Sequence, residues 1–518
     1  MQRRVLIVLS LTLCLPPPLG CTRWGFEPSS VGDSDRRETG LDLRPSKDLS
    51  DGPRDLRLGD AFLDGPRDQS TDETSHDLRP PEASISPDTG IPFGQRWSHQ
   101  SGAASNDLGY GVAVDNKGTI FVTGRFQGTA NFGGGPLVSA GDFDIFIASY
   151  TAAGAYRWAK RFGKTTEDLG FDIALGPQGN LFIIGEFRGT LNLGGKDLVS
   201  AGQRDVLVAS YTPSGVHRWS KRFGEGGEAA GRALIVDKSG NLFITGHNQA
   251  TINFGGGILT SAEGHDGYLA SFTSAGTYRW SKRFGAADYD LGRELVIDSH
   301  GNLILVGTFN STINVGGGDL SSAGGGDILL AKFTSAGAHV WSKRFGGSGD
   351  EYGRAVAIDD QDRLTIAGRF ANTIDFGGGP LTSAGDHDIF VAGLTAQGKY
   401  RWAKRFGSPA FDYAEALTAT PHGDIFLAGL FRGTVDFGQG PVTSAGDADI
   451  FVVSTTSSGT LRWTQHYGDT ALDEAKALAL GPGGALVATG QFSGTIDFGD
   501  GPLTSAGGTD IFLLRIKQ

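Results

Sequence analysis

Cysteine is nearly missing from this chain of 518 residues: there are two, Cys14 and Cys21. Both lie at the extreme N-terminus, so the rest of the sequence has no thiol. That excludes disulfides, cysteine-ligated zinc and thiol catalysis from the folded part. The single methionine is the initiator. Basic charge is also short, with 45 Lys and Arg against 57 Asp and Glu and a net charge of −12. No cationic excess exists to neutralise phosphates, which excludes a general nucleic-acid binder. Signatures of common enzymes are missing too. There is no HExxH, no Gly-x-Ser-x-Gly elbow and no sialidase-type Ser-x-Asp-x-Gly-x-Thr-Trp box. No Gly-Lys-Ser/Thr follows the triple glycines, so they are not a P-loop.

What is present begins with an export signal. Arg3 and Arg4 precede the mostly apolar Val5–Leu15, which is too short to span a bilayer comfortably. Leu19, Gly20 and Cys21 resemble the bacterial lipobox, in which the cysteine becomes lipidated; Pro18 departs from that pattern. Residues 1–20 are therefore expected to be a lipoprotein-type signal peptide, and Cys21 the lipidation site. A diacylated cysteine supplies the two chains that stable anchoring needs. The implied location is the cell envelope, as an outer-membrane or cell-surface lipoprotein. Residues 21–90 repeat "DGPRD" and "DLRP" and have too few apolar residues for a core. They read as a disordered tether.

From residue 91 to 518 the chain is a repeat array. Trp97, Trp158, Trp219, Trp280, Trp341, Trp402 and Trp463 recur at intervals of 61 residues without exception. The Asp of "DIF" (Asp144 to Asp510) and the Thr of "GT-x-NFGGG" (Thr129 to Thr495) keep the same step. One unit reads as four strands: Tyr110–Asp115, Thr119–Phe126, Asp144–Thr151 and Ala155–Phe162. Tight turns join the first pair and the last pair, and a long Gly-rich loop joins the middle two. Several strands are apolar on both faces, so sheets must stack on each side. Four-stranded sheets repeated radially make a β-propeller, here an all-β ring of seven blades. The array starts with a fourth strand, at Trp97, and stops with a third, at 510–518. Pairing those two closes the ring and removes the exposed sheet edges.

"GVAVDNKGTIFVTG" followed by "DIFIASYTAAGAYRWAKRFG" resembles the bacterial beta-propeller repeat family known as SBBP, and more loosely the NHL-type repeats. The resemblance covers Pro92–Gln518. It implies a propeller at or outside the cell surface. It implies no reaction and no catalytic residues.

Long connections share one face of such a ring, and function on repeat scaffolds usually lies there. Six units place an acid at one position of the inter-blade loop: Asp107, Asp168, Asp290, Glu351, Asp412 and Asp473. The seventh has Ala229, beside Glu228. Three residues later stand Tyr110, Phe171, Arg232, Arg293, Arg354, Glu415 and Lys476. Two rings, one acidic and one mixed, are expected around a mouth of the central channel. Turn capping and surface ion pairs to the Lys-Arg pairs are the default role for the acids; a site for a cation or a basic partner is the sharper alternative. Oxygen ligands leave calcium open as a cofactor, although no recognisable calcium loop is present; otherwise no cofactor or metal is implied. The symmetry also breaks. Five copies of the Trp strand carry a Lys-Arg pair, replaced by His99-Gln100 in the closing seventh blade and by Gln465-His466 in its neighbour, the sixth. That sector is a candidate partner footprint.

These features point to a non-catalytic, surface-anchored scaffold whose long-loop face binds a protein partner. A multivalent, lectin-like glycan binder is the alternative. An envelope enzyme would need an asymmetric polar cluster, and only the closure sector offers one in the sequence.

Overall fold

A computed structural model describes residues 94–517. The expected signal peptide, Cys21 and tether lie outside the described residues. Seven four-stranded antiparallel sheets follow one another in the chain. Blade 1 is built from Leu108–Val114, Ile120–Phe126, Asp144–Tyr150 and Tyr156–Phe162. Its successors repeat that order up to blade 6. In blade 7, Glu474–Leu480, Leu486–Phe492 and Asp510–Lys517 supply three strands, and Gly94–Ser101 supplies the fourth. Trp97 pairs with Arg515 and Ser101 with Ile511 across this seam. The ring of seven blades is closed by its two ends.

Why these residues form blades is visible in the burial pattern. The second and third strands are buried along almost their whole length. Their two faces feed two different inter-blade cores. Phe121, Ile145 and Ile147 of blade 1 pack with Ile183, Leu207 and Tyr211 of blade 2. Val122, Phe146 and Ala148 turn instead toward Val487 and Leu513 of blade 7. The first strands of neighbouring blades lie side by side around the axis.

The repeated tryptophan is a latch between blades. The Trp158 indole N–H donates to the Pro213 carbonyl in the tight turn of the next blade, at 3.2 Å. Trp97, Trp219, Trp280 and Trp402 make the equivalent bond at 2.9–3.1 Å. The turn must be glycine at Gly215, which has φ +79 and lies against the Trp158 ring and the Lys160 stem.

One expected loop is ordered differently. The Gly-rich stretch after each second strand folds into a small two-stranded hairpin, Thr129–Asn131 against Pro136–Val138 in blade 1. The Asn131 side chain accepts the N–H groups of Gly133 and Gly135 and shapes its turn. Ala130 and Phe132 are buried beneath it. Apolar residues hidden between glycines anchor the segment to the inter-blade core, so it is not a free binding loop.

Candidate functional site at the channel mouth

The six acids of the inter-blade loops are completely buried and do not face the channel. Asp107 accepts the N–H groups of Ala103 at 2.6 Å and Gln127 at 2.8 Å. Asp290 does the same with Ala286 and Asn310, Asp412 with Ser408 and Arg432, and Asp473 with Asp469 and Ser493. Asp168 accepts the Lys164 N–H and Glu351 that of Gly347. Asp107, Asp290, Asp412 and Asp473 tie the loop entering a blade to that blade's own framework; Asp168 and Glu351 brace the loop itself. Burial pushes Asp107, Asp290 and Asp473 up to about 7, and Asp168 and Glu351 to about 8. The backbone N–H bonds pull only part of the way back. The expected acidic rim is thus an internal brace, because a short carboxylate next to unpaired backbone N–H groups satisfies them before it can reach solvent.

The mixed ring has a different fate. In every blade the first strand is out of register by one residue, and the extra residue is the ring member. The shift spans Gly109/Gly111 around Tyr110, Gly292/Glu294 around Arg293, and Ala475/Ala477 around Lys476, with the other four blades alike. A β-bulge re-aims a side chain and is common beside functional sites. The bulge also explains a glycine. A β-carbon on Gly124 would collide with the Leu108 carbonyl oxygen, and the equivalent glycine of each blade meets the same oxygen.

Around the mouth these side chains fall into three groups. Near blades 1 to 3, Arg125 pairs with Glu167 at 3.4 Å, Arg204 bridges Glu167 and Glu186, and Arg232 lies 3.9 Å from Glu186. The Arg232 guanidinium also sits 4.2 Å from the Phe171 ring centroid, and Phe171 meets Tyr110 edge-on. Near blades 5 to 7, Glu415 lies 3.5 Å from both Arg354 and Lys476, and Lys476 also pairs with Glu474. Burial raises the Glu415 carboxyl, but Arg354, Lys476, Arg293 and Arg369 outweigh it and hold it at about 2. Arg369 is sandwiched by Tyr352 and Phe411, with its guanidinium 4.2 and 4.6 Å from their ring centroids.

Between these groups stands Arg293. No ion pair to it occurs among the described residues. Burial and the neighbouring Arg354 and Arg232 pull it down to about 9. Beside it, His247, His265 and Tyr289 form an aromatic cluster with centroids 4.9–6.1 Å apart. His247 is lowered well below the usual range by burial, then by Arg232, His265 and Arg293.

The sequence reading missed the residues closing the second strand and preceding the third, such as Arg125, Glu186, His247, Arg369, Arg204 and His265. Their signal was present. "TGRF", "IGEF", "TGHN" and "AGRF" occupy equivalent positions, share the glycine, and put Arg, Glu, His and Arg at the third residue. Polar asymmetry is therefore found around the mouth, from Arg125 of blade 1 to Lys476 of blade 7, and not only in the closure sector. There, internal bonds occupy three of the four side chains. His99 meets the Gly154 carbonyl at 2.7 Å, Gln100 donates to Asp510 at 2.6 Å, and Gln465 accepts from Tyr467 at 3.2 Å. His466 packs near Phe431. A groove of about 310 Å³ between blades 3 and 4, lined by Lys282, Phe284, Asn314 and Phe333 among others, lies on the outer strands away from the mouth.

No family model matches the chain. It is 19% identical over 506 residues to an uncharacterised WD repeat-containing protein of Acanthamoeba polyphaga mimivirus, covering 77% of this chain and 36% of that relative. The chain thus spans about a third of that relative's length. Among solved structures, U3-55K aligns with a TM-score of 0.41 at 10% identity, over 80% of this chain and 98% of that one. An ulvan lyase of polysaccharide lyase family PL25 also reaches 0.41 at 12% identity, over 76% and 93%.

Proposed function

We propose that this chain is a non-catalytic binding propeller, a protein-interaction scaffold whose channel mouth receives an acidic segment of a partner protein. One observation carries the reading. Arg232, Arg293 and Arg354 are bulge residues of three consecutive blades, and Arg293 has no ion pair among the described residues. A partly buried guanidinium beside two others is stabilised by an incoming carboxylate, which would be held in charge-assisted hydrogen bonds. The WD-repeat name of the mimivirus relative accords with a scaffold. Acidic glycans are a second reading, favoured by the Tyr110 and Phe171 rings beside the arginine arc. A lectin with seven equal pockets is less well supported, because the units differ most at the mouth. Lipid anchoring through Cys21, placement at the cell surface and membership of the SBBP repeats belong to the same proposal.

The test is fluorescence anisotropy of the full-length protein with labelled Asp/Glu-rich peptides and with uronic-acid oligosaccharides, repeated on Arg293→Ala. Saturable peptide binding lost in the variant supports the scaffold reading. Saturable binding of the oligosaccharide alone supports the glycan reading. Binding of neither, or binding unchanged in Arg293→Ala, rejects the arginine arc as the site.

A further inference from the structure

We infer that Glu228, His247 and His265 form a binding site for one divalent transition-metal ion at the channel mouth in blade 3. The inference does not depend on the proposed function.

The chain brings the three together from separate elements. Glu228 lies in the connection entering blade 3. His247 is near the end of the second strand, Leu242–Asn248, and His265 immediately precedes the third, Asp266–Phe272. One ligand atom from each lies within 4.8 Å of the other two. A tetrahedral zinc site with bonds of about 2.1 Å holds its donors roughly 3.4 Å apart. Small side-chain rotations, with His247 fixed on its strand and Glu228 and His265 each one residue from a strand end, bridge that difference.

Burial supplies a second, independent observation. His247 is 1% exposed, and its Nδ1 has no hydrogen-bond partner. Buried ring nitrogens are nearly always satisfied, so an unsatisfied one calls for an explanation. A lone pair directed to a cation is one.

The neighbouring blade shows what these positions do when a cation is built in. Blade 2 has Glu167, Glu186 and Arg204 at the three equivalent positions, and the Arg204 guanidinium bridges both carboxylates. Blade 3 keeps two electron-pair donors, Glu228 and His247, but replaces the bridging guanidinium with a third donor, His265. Three donors converge, and the positive charge that blade 2 carries on its own chain is missing. Of the arginines around the trio, Arg204 is paired with Glu167 and Glu186, Arg232 is placed against Glu186 and Phe171, and Arg293 makes no ion pair to Glu228.

The donor set indicates the class of ion. Two imidazoles and one carboxylate suit zinc and its first-row neighbours, whereas calcium and magnesium prefer oxygen alone. Three protein ligands leave a coordination position for water or for a ligand atom.

The experiment is titration of the chelator-treated, full-length protein with Co(II), read by its ligand-field absorption, followed by displacement with Zn(II). One equivalent should bind, with the intense bands of a low-symmetry nitrogen/oxygen site. Glu228→Gln and His265→Ala, both at partly exposed positions, should each weaken binding by more than about tenfold. His300→Ala should change nothing; it disrupts a second, more exposed trio of Asp298, His300 and Asp362. Glu228→Gln is nearly isosteric and separates loss of a ligand from loss of fold, with the melting temperature as the check. Absence of the bands, their survival in both site variants, or their loss in His300→Ala would overturn the inference.

Discussion

Gln100, on the N-terminal strand, donates its side-chain amide to Asp510 at 2.6 Å, across 410 positions of the chain. In blades 1 to 5 the same buried aspartate is held by an arginine, as Arg161 holds Asp144 and Arg405 holds Asp388, both at 2.5 Å. The seam that closes the ring therefore replaces an ion pair with a neutral hydrogen bond. Deleting Gly94–Ser101 should leave Asp510–Lys517 as a bare edge. Gel filtration should then show oligomers, and melting should occur earlier. A monomer with unchanged melting would contradict closure by this strand.

Blade 6 has lost more. His466 stands where the arginine would be, and Asp449 retains the Ala445 N–H but no cationic side chain among the described residues. Burial lifts Asp449 to about 6, helped by Asp469. His466→Arg should restore the pair and stabilise the fold by about 1 kcal/mol. The gain should be larger at pH 8, where Asp449 is ionised, than at pH 5. Urea midpoints at the two pH values decide the matter; an equal or smaller gain at pH 8 counts against the pairing.

The six loop acids predict the pH profile of the whole ring. Their folded values, about 6 to 8, lie above the ordinary 3.8 for Asp and 4.5 for Glu. Between those limits the native state binds more protons than the unfolded chain, so stability falls as pH rises. The contribution is fully present below about pH 4 and is lost as pH climbs through 6 to 8. Thermal melts should show a higher midpoint at pH 5 than at pH 8. Asp107→Asn should reduce the difference, because an amide does not ionise. It should also cost about 1–3 kcal/mol at pH 5, since its NH₂ group cannot accept a backbone N–H.

Trp280→Phe should cost roughly 1–2 kcal/mol, through the lost bond to the Ser335 carbonyl and lost contact area. Equilibrium unfolding in urea measures it. No change would mean that the inter-blade latch contributes nothing.

Arg293→Met should act in the opposite direction. It removes a partly buried cation set beside Arg232 and Arg354. Stability should rise by about 1 kcal/mol, while binding of an acidic peptide falls. A drop in both would mean that Arg293 supports the fold.

Much of the architecture was legible because it is repeated. Seven copies of the same four strands, each with its Trp and the Asp that opens the third strand, specify one blade seven times, and the mismatched ends specify how the ring closes. The Gly-rich inserts misled because glycine signals turns, while Ala130 and Phe132 are single apolar residues whose burial depends on the neighbouring blade. The loop acids were correctly located, and turn capping, the role first expected of them, is what their backbone N–H partners show. Spacing places a carboxylate in a connection, and it cannot say how deeply the neighbouring blades bury it.

What the sequence by itself determined is the part governed by local pattern: strand period, turn chemistry and the 61-residue step. What only the tertiary structure decided is the company of side chains across strands and blades. Glu228, His247 and His265 lie far apart in the chain and carry no motif. They meet because antiparallel pairing returns the end of one strand to the start of the next, and a one-residue bulge beside them turns Arg232 toward the channel.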